Sequence, residues 1–359
     1  MSLPARPLRV AAAITPHGFG HAAITLAVLD ALHGLLPQGL DVTFITRLPA
    51  DLLRTRWGRP CQIVDHAAAS DFGMLMTSST GVRVRDSVAA YTAAHEHWDD
   101  VLAREAAVLA EARPDVLLSC ISYAALAAAR RLGVPAVGVG PFTWHEILSA
   151  YAPEAVAILD TMRAAYAAAD AIIATSPAVP MTFANLRAVG PVGRPGLARR
   201  RDLTASLGVG EDCRLALVAL GGIAEDVPVA DWPSVAGWRW VVPDEVAAAG
   251  MSISDAIASC DAVITKPGYG TFVEAACAGT PILYRDRPDW PETAGLAAWL
   301  ARVVPCIRID AETFSRGALA DHLHMLAKPR AAGRPLGAPE GNRQAAGIII
   351  DILTGRARP

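Results

Sequence analysis

Short apolar runs recur along the chain, and most are followed by a stretch whose apolar positions return every three or four residues. Residues 8–15 form such a run, and after a glycine-containing turn Ile24, Val28, Leu32 and Leu35/Leu36 mark one face of a helix. Further strands are expected at 41–46, 115–119, 135–140 and 170–174, with helices near 50–57, 97–110, 124–132 and 155–168. Strands apolar on both faces that alternate with helices predict a doubly wound parallel sheet. The pattern breaks at VGPVGRP, 189–195, where clustered Gly and Pro end any regular element. It then resumes with strands at 214–220, 238–242, 261–264 and 281–284 and with helices at 253–259, 271–279 and from Pro291. Ser252 and Asp255 have the spacing of a capping box for the 253–259 helix. After a Pro- and Gly-rich loop at 329–341, a helix over 342–353 has no strand behind it. The expected organisation is therefore α/β, with one Rossmann-like domain over 1–190, a second over 191–340, and a C-terminal helix in 341–359 that could cross back to the first.

Composition narrows the function. Of 359 residues, 53% are hydrophobic and 19% charged, which suits covered parallel sheets. The net charge of -3 gives no basic footprint for nucleic acid. Cysteines 61, 120, 213, 260, 277 and 306 have no CxxC spacing and fall mainly in apolar runs, so free thiols in a reducing compartment are expected rather than disulfides or zinc. The start, MSLPARPLRV, leads directly into a strand without a signal-peptide pattern, and no run reaches 18 uninterrupted apolar residues. These features predict a cytoplasmic protein without a membrane span. They leave peripheral membrane attachment and oligomeric state open.

Residues 261–279, DAVITKPGYGTFVEAACAG, read as a strand, a loop and a helix starting near Thr271. Gly268 and Gly270 would let backbone amides approach an anion, and the unpaired amides of the helix start would point to the same place. A diphosphate is the natural occupant. Lys266 is one of only two lysines, with Lys328, and stands in this loop; a solvent-exposed turn lysine is the plainer alternative. Glu274, three residues after Thr271, completes a capping box or else presents a carboxylate to ribose hydroxyls.

The phrase TKPGYGTFVEAACAGTPILYRDRPDWPE resembles the donor signature of GT-B glycosyltransferases, the group that includes the lipid II-forming bacterial enzyme and small-molecule UDP-glycosyltransferases. It is especially similar to the glycosyltransferase-like N-terminal region of plant arabinose kinases. TPHGFGHA at 15–22, DFG at 71–73, PDVLLSCISYAALAAARRLGVPAVGVGPFTW at 114–144, VGPVGRP at 189–195 and LGG at 220–222 carry the resemblance in order along the chain. It implies two Rossmann-like domains with an interdomain cleft. It also implies that Gly221, Gly222, Gly268, Tyr269, Gly270 and Thr271 surround donor phosphates, that Glu274 meets ribose, and that Asp289 and Glu292 reach the transferred sugar or support its loop. On the residues alone, Asp289 and Glu292 are also favourable acids at a helix start.

In the first domain, Gly18 and Gly20 permit a sharp bend where a strand passes into a helix, and Gly18, Phe19 and Gly20 would line the acceptor side. The resemblance gives His21 the position of a catalytic base, with His17 as its competitor. Related proteins often carry an Asp where this chain has Cys120, and a thiol is not a fixed anion. Asp71 is the acid that could orient the base instead. Ser122 follows the strand at its ligand-facing end, while Trp144 and His145 are candidates for the acceptor pocket, with Trp144 as a half-buried wall and Phe142 in the core. The histidine pairs 95/97 and 322/324 are two apart, so neither forms a metal site on a helix.

The leading expectation is inverting transfer of a sugar from a nucleotide diphosphate donor, UDP-sugar favoured, to an unidentified acceptor, with neither a cofactor nor a metal. A nucleotide-sugar epimerase of similar fold is the alternative enzyme. A catalytically impaired nucleotide-sugar-binding protein is the alternative from another class, suggested by Cys120.

Overall fold

The computed structural model describes residues 3–65, 72–78, 80–221, 227–326 and 335–355. The described residues divide into two compact units. The first runs to Val192 and resumes at Glu340, while the second holds Gly193–Pro339 together with Ser78 and Thr80.

The first unit contains β1 (Leu8–Ile14), α1 (Gly20–Leu35), β2 (Leu40–Thr46), α2 (Ala50–Trp57), β3 (Gln62–Asp65), α3 (Val84–Glu96) and α4 (Trp98–Ala112). It continues with β4 (Val116–Cys120), α5 (Tyr123–Leu132), β5 (Ala136–Gly140), α6 (Trp144–Tyr151), α7 (Val156–Ala167), β6 (Ala171–Thr175) and β7 (Leu186–Val189). The second unit contains α8 (Arg200–Leu207), β8 (Arg214–Val218), β9 (Trp238–Val241), α9 (Pro243–Ala248), α10 (Ile253–Ser259) and β10 (Ala262–Thr265). After these come α11 (Tyr269–Ala278), β11 (Ile282–Arg285), α12 (Thr293–Leu300), β12 (Cys306–Ile309), α13 (Ala311–Arg316) and α14 (Ala320–Leu326). The last helix, α15 (Gly341–Thr354), belongs to the first unit.

The first sheet has the order β3-β2-β1-β4-β5-β6-β7 and the second β12-β11-β10-β8-β9. Neighbouring strands are parallel throughout. Strand order therefore reverses between β1 and β4 in one unit and between β8 and β10 in the other, the places where parallel sheets open a crevice at their carboxyl ends.

The central strands and the edge strand β9 were anticipated, while three other edge strands were not, for a physical reason. β4, β5 and β6 are buried along their whole lengths, whereas β3, β7 and β12 lie at sheet edges and carry half-exposed polar residues, so their apolar signal is interrupted. Val189, expected at the start of the linker, is instead the last residue of β7 and pairs with Thr175.

α1 is buried nearly all round through its first half, because the sheet covers one side and α15 packs on α1 from another. The approach is close. A Cβ on Gly341 would lie 2.1 Å from the Gly190 oxygen and 2.4 Å from that of Pro191. The Gly341 N–H donates to the Pro191 carbonyl at 3.1 Å, and the Gly190 N–H donates to Gln344 Oε1 at 2.7 Å.

The α10 capping box is present, with the Ser252 hydroxyl accepting from the Asp255 N–H and the Asp255 carboxylate from that of Ser252. The capping box expected from Thr271 and Glu274 is absent. α11 begins at Tyr269 with Gly268 as its N-cap, so Thr271 already lies in the first turn and Glu274 in the second. α12 likewise begins at Thr293 rather than Pro291.

Gly341→Ala is expected to lower the stability of the first unit by about 1–3 kcal/mol, since the added methyl group meets backbone that must move. Denaturant unfolding of this variant and the wild type reads the loss. Equal midpoints and slopes would contradict the close docking of α15.

Candidate functional site

In the first unit the ends of β1 and β4 are locked side by side. Ile14 stands opposite Cys120, and the Thr15 N–H donates to the Cys120 carbonyl at 2.9 Å. The Thr15 hydroxyl accepts from the Ile121 N–H at 3.1 Å and from Trp144 Nε1 at 3.4 Å. Gly18, at φ +80°, then turns the chain, and Phe19 takes the N-cap position of α1 with the Arg56 guanidinium over its ring.

His21 enters as the second residue of α1 and is only 5% exposed. Its Nδ1 lies 3.4 Å from Cys120 Sγ, and its ring centroid is 5.8 Å from those of Phe142 and Trp144. Loss of water around the ring pushes its titration down from 6.5 to about 4, so the imidazole is neutral at physiological pH. His17 meets the edge of Trp144, with centroids 5.2 Å apart. Gly73 closes on both. At φ +67°, a Cβ there would stand 2.5 Å from Trp144 and 3.1 Å from His17.

Trp144 is therefore not the half-buried wall expected from sequence. Its side chain is fully buried and packs between the two histidines. The Ser122 hydroxyl is occupied in accepting from the Ala125 N–H as the N-cap of α5. His145 is partly buried, with Nδ1 3.1 Å from Glu146 Oε1. Gly20 has nothing within 4 Å of where its Cβ would stand. Asp71 lies outside the described residues.

In the second unit, β8 and β10 end together, with the Ala219 N–H donating to the Ile264 carbonyl at 3.0 Å. Gly221, at φ +81°, comes beside Lys266, whose Cε would be 3.9 Å from an added Cβ. Gly222 lies outside the described residues. The N-cap of α11 is Gly268, which has no side chain to cap the helix, and Tyr269, Gly270 and Thr271 follow just after Lys266. Helix starts of this kind present first-turn amides that have no intrahelical partner. Glu274 is buried on the next turn.

The structure separates Asp289 from Glu292. Asp289 is exposed, whereas Glu292 is buried at the N-cap of α12 without capping that helix through its side chain. Among the described residues, Glu292 Oε1 has no hydrogen-bond partner, nor does the buried Thr293 hydroxyl beside it. Desolvation pushes the Glu292 carboxyl up from 4.5 to about 7, opposed by a hydrogen bond from Trp290 and by the charges of Arg287 and Lys266. Arg287 is itself buried and stacks over Trp290 at 3.9 Å. Arg287, Trp290 and Thr293 were missed in the sequence. The signal available was an arginine between acids and prolines immediately after a strand, in RDRPDW.

Among the described residues, no three His, Cys, Asp or Glu side chains are grouped so as to hold a metal ion, and no helix is long and apolar enough to cross a membrane. All six cysteines are free, with Cys120, Cys260 and Cys277 buried.

Glu292 should make stability depend on pH. An unfolded glutamate loses its proton near 4.5 and folded Glu292 near 7, so between those values the folded chain holds a proton that the unfolded chain has released. Its contribution is most favourable below the lower value and declines as pH rises through the upper one, by roughly 3 kcal/mol in all. Glu292→Gln removes this slope. Denaturant unfolding from pH 5 to 8 should show the variant gaining on the wild type as pH rises, and a constant difference would refute the assignment.

No family model matches the chain. A curated relative, the L-arabinokinase of Arabidopsis thaliana, is 25% identical over 296 residues, covering 78% of this chain and 28% of that protein. The chain thus spans little more than a quarter of that relative's length. Among solved structures, the glycotransferase of kitacinnamycin aligns with TM-score 0.61 and 19% identity over 97% of this chain and 100% of the other. A UDP-glucosyltransferase from Polygonum tinctorium capable of glucosylating indoxyl aligns at 0.60 and 14% identity, covering 98% and 100%. A UDP-N-acetylglucosamine 2-epimerase aligns at 0.54 and 15% identity, covering 99% and 98%. With its two parallel sheets and flanking helices, the chain has the GT-B fold of the glycosyltransferases.

Proposed function

We propose that the protein is an inverting glycosyltransferase that takes a sugar from a nucleotide diphosphate donor, with UDP-sugar favoured. The observation that carries this reading is the glycine-capped start of α11 directly after Lys266, at the point where strand order reverses. The first-turn amides from Tyr269 to Thr271, with Lys266 and Arg287, supply positive potential for a diphosphate that gains charge as it departs. No metal ion is required in this scheme. Glu274, released from the capping role that its spacing suggested, is assigned to the ribose. The unpartnered Glu292 Oε1 and Thr293 hydroxyl are assigned to sugar hydroxyls, which would satisfy both.

In the first unit, neutral His21 takes the proton of an acceptor hydroxyl as the acceptor oxygen bonds to the anomeric carbon. The bond from that carbon to the diphosphate breaks, and its electron pair leaves with the diphosphate. A base whose conjugate acid titrates near 4 is weak, so proton transfer is late or the acceptor is acidic.

The epimerase reading draws on the same fold, which a UDP-N-acetylglucosamine 2-epimerase shares. Products separate the two. Transfer yields a sugar conjugate and free nucleoside diphosphate, whereas epimerisation yields an isomeric nucleotide sugar and no conjugate.

Two outcomes are expected once calorimetry with UDP-, dTDP- and GDP-sugars has identified the donor. Glu274→Gln should weaken nucleoside diphosphate binding while leaving thermal stability nearly unchanged, and unaltered affinity would remove the ribose assignment. At donor saturation, His21→Ala should reduce transfer by roughly 10²–10⁴-fold with little effect on donor affinity. His17→Ala should have the smaller effect, because its ring packs against Trp144. Full activity in both variants would show that neither histidine is the base.

A further inference from the structure

A histidine base has two ring nitrogens, and the neighbour of one fixes which of them can take a proton. At His21 that neighbour is a thiol, with Cys120 Sγ 3.4 Å from Nδ1. The contact does not arise from a mobile side chain. Cys120 is fully buried as the last residue of β4, opposite Ile14, and its carbonyl accepts from Thr15 just before the loop that leads to His21. Phe142 and Trp144 hold two other sides of the imidazole.

Among the described residues, the other elements near the ring bring little charge to it, and Asp71 lies outside them. On α6, His145 is paired with Glu146, whose carboxylate also caps that helix at Thr143. In the loop before α1, His17 turns its ring to Trp144, and Arg56 of α2 lies over Phe19. Burial is the cause of the His21 shift.

We propose that Cys120 is the positioning residue of His21, its Sγ accepting the Nδ1 hydrogen so that the Nε2 lone pair faces the acceptor. The pair is uncharged before the reaction, unlike a carboxylate–imidazole pair, and a sulfur acceptor stabilises the imidazolium only weakly. The consequence is a base that remains neutral and competent in mildly acidic solution, where a carboxylate-supported histidine would already be protonated. This inference rests on the transferase reading for its role in catalysis, but the thiol–imidazole geometry can be tested without any substrate.

The test is NMR of the intact chain carrying ring-¹⁵N histidine, followed from pH 4 to 8, with His21→Gln identifying the resonances. In the wild type His21 should be a neutral Nδ1–H tautomer throughout the upper part of this range. Cys120→Ala should mix the two tautomers, Cys120→Ser should keep Nδ1–H, and Cys120→Asp should raise the midpoint by one unit or more because an anion now faces the ring. Unchanged signals from the other histidines certify folding. A wild-type Nε2–H tautomer, or a Cys120→Ala spectrum identical to the wild type, overturns the proposal. Transfer is then assayed with UDP-glucose and 4-nitrophenol across the same pH range. If the expected tautomers are found, loss of activity on the acid side in Cys120→Asp but not in Cys120→Ser supports the role in catalysis, and coincident pH profiles overturn it. Failure of the transferase reading would instead appear as absence of any sugar conjugate with the tautomer pattern intact, which overturns the catalytic role and leaves the contact standing.

Discussion

The backbone lock between β1 and β4 is the constraint on which the first unit's chemistry depends. Thr15 holds Cys120 through its N–H, and its single hydroxyl oxygen receives both the Ile121 amide and the Trp144 indole. Two other chain segments, at Ile121 and Trp144, are thereby tied to the strand end that leads to His21. The polar atoms here are buried, so each bond is worth more than its exposed counterpart and its loss would leave an unsatisfied group. The His21 ring gains a fixed setting from this arrangement.

The second unit uses the same device at its own reversal of strand order, where the Ala219 amide ties the β8 end to Ile264 of β10. Backbone pairing does the positioning here. The cost is concentrated near α12. Glu292 is buried with one oxygen unpartnered, and its carboxyl is pushed to about 7 even with two cations opposing the shift. Local conflict of this kind runs against the stability of the fold.

How much was legible in the sequence depended on burial. Strands in the sheet interiors announced themselves as unbroken apolar runs, while β3, β7 and β12 were hidden because an edge tolerates polar residues. The glycine loop was readable because Gly and Lys at a strand–helix junction have a local physical meaning. The start of α11 was misread by two residues, and that displacement alone turned Glu274 into a false cap. Arg287 was passed over despite its place after a strand, and Cys120 was read as the loss of an acid rather than as a neighbour of the His21 ring. The Cys120–His21 contact joins segments 99 positions apart, for which periodicity carries no signal.

The docking of α15 bears on how the protein is made. Its residues cover a flank of α1 that is apolar because it is never meant to meet water, yet 305 positions of chain separate Leu35 from Gly341, counted as 341 − 35 − 1. A ribosome delivers α1 early and its cover only after the whole second unit has been synthesised. Throughout that interval the nascent first unit exposes Ala and Leu side chains on α1, the kind of surface that chaperones bind and that aggregation exploits. A premature stop anywhere before residue 341 would therefore damage the first-made half of the molecule as well as the last.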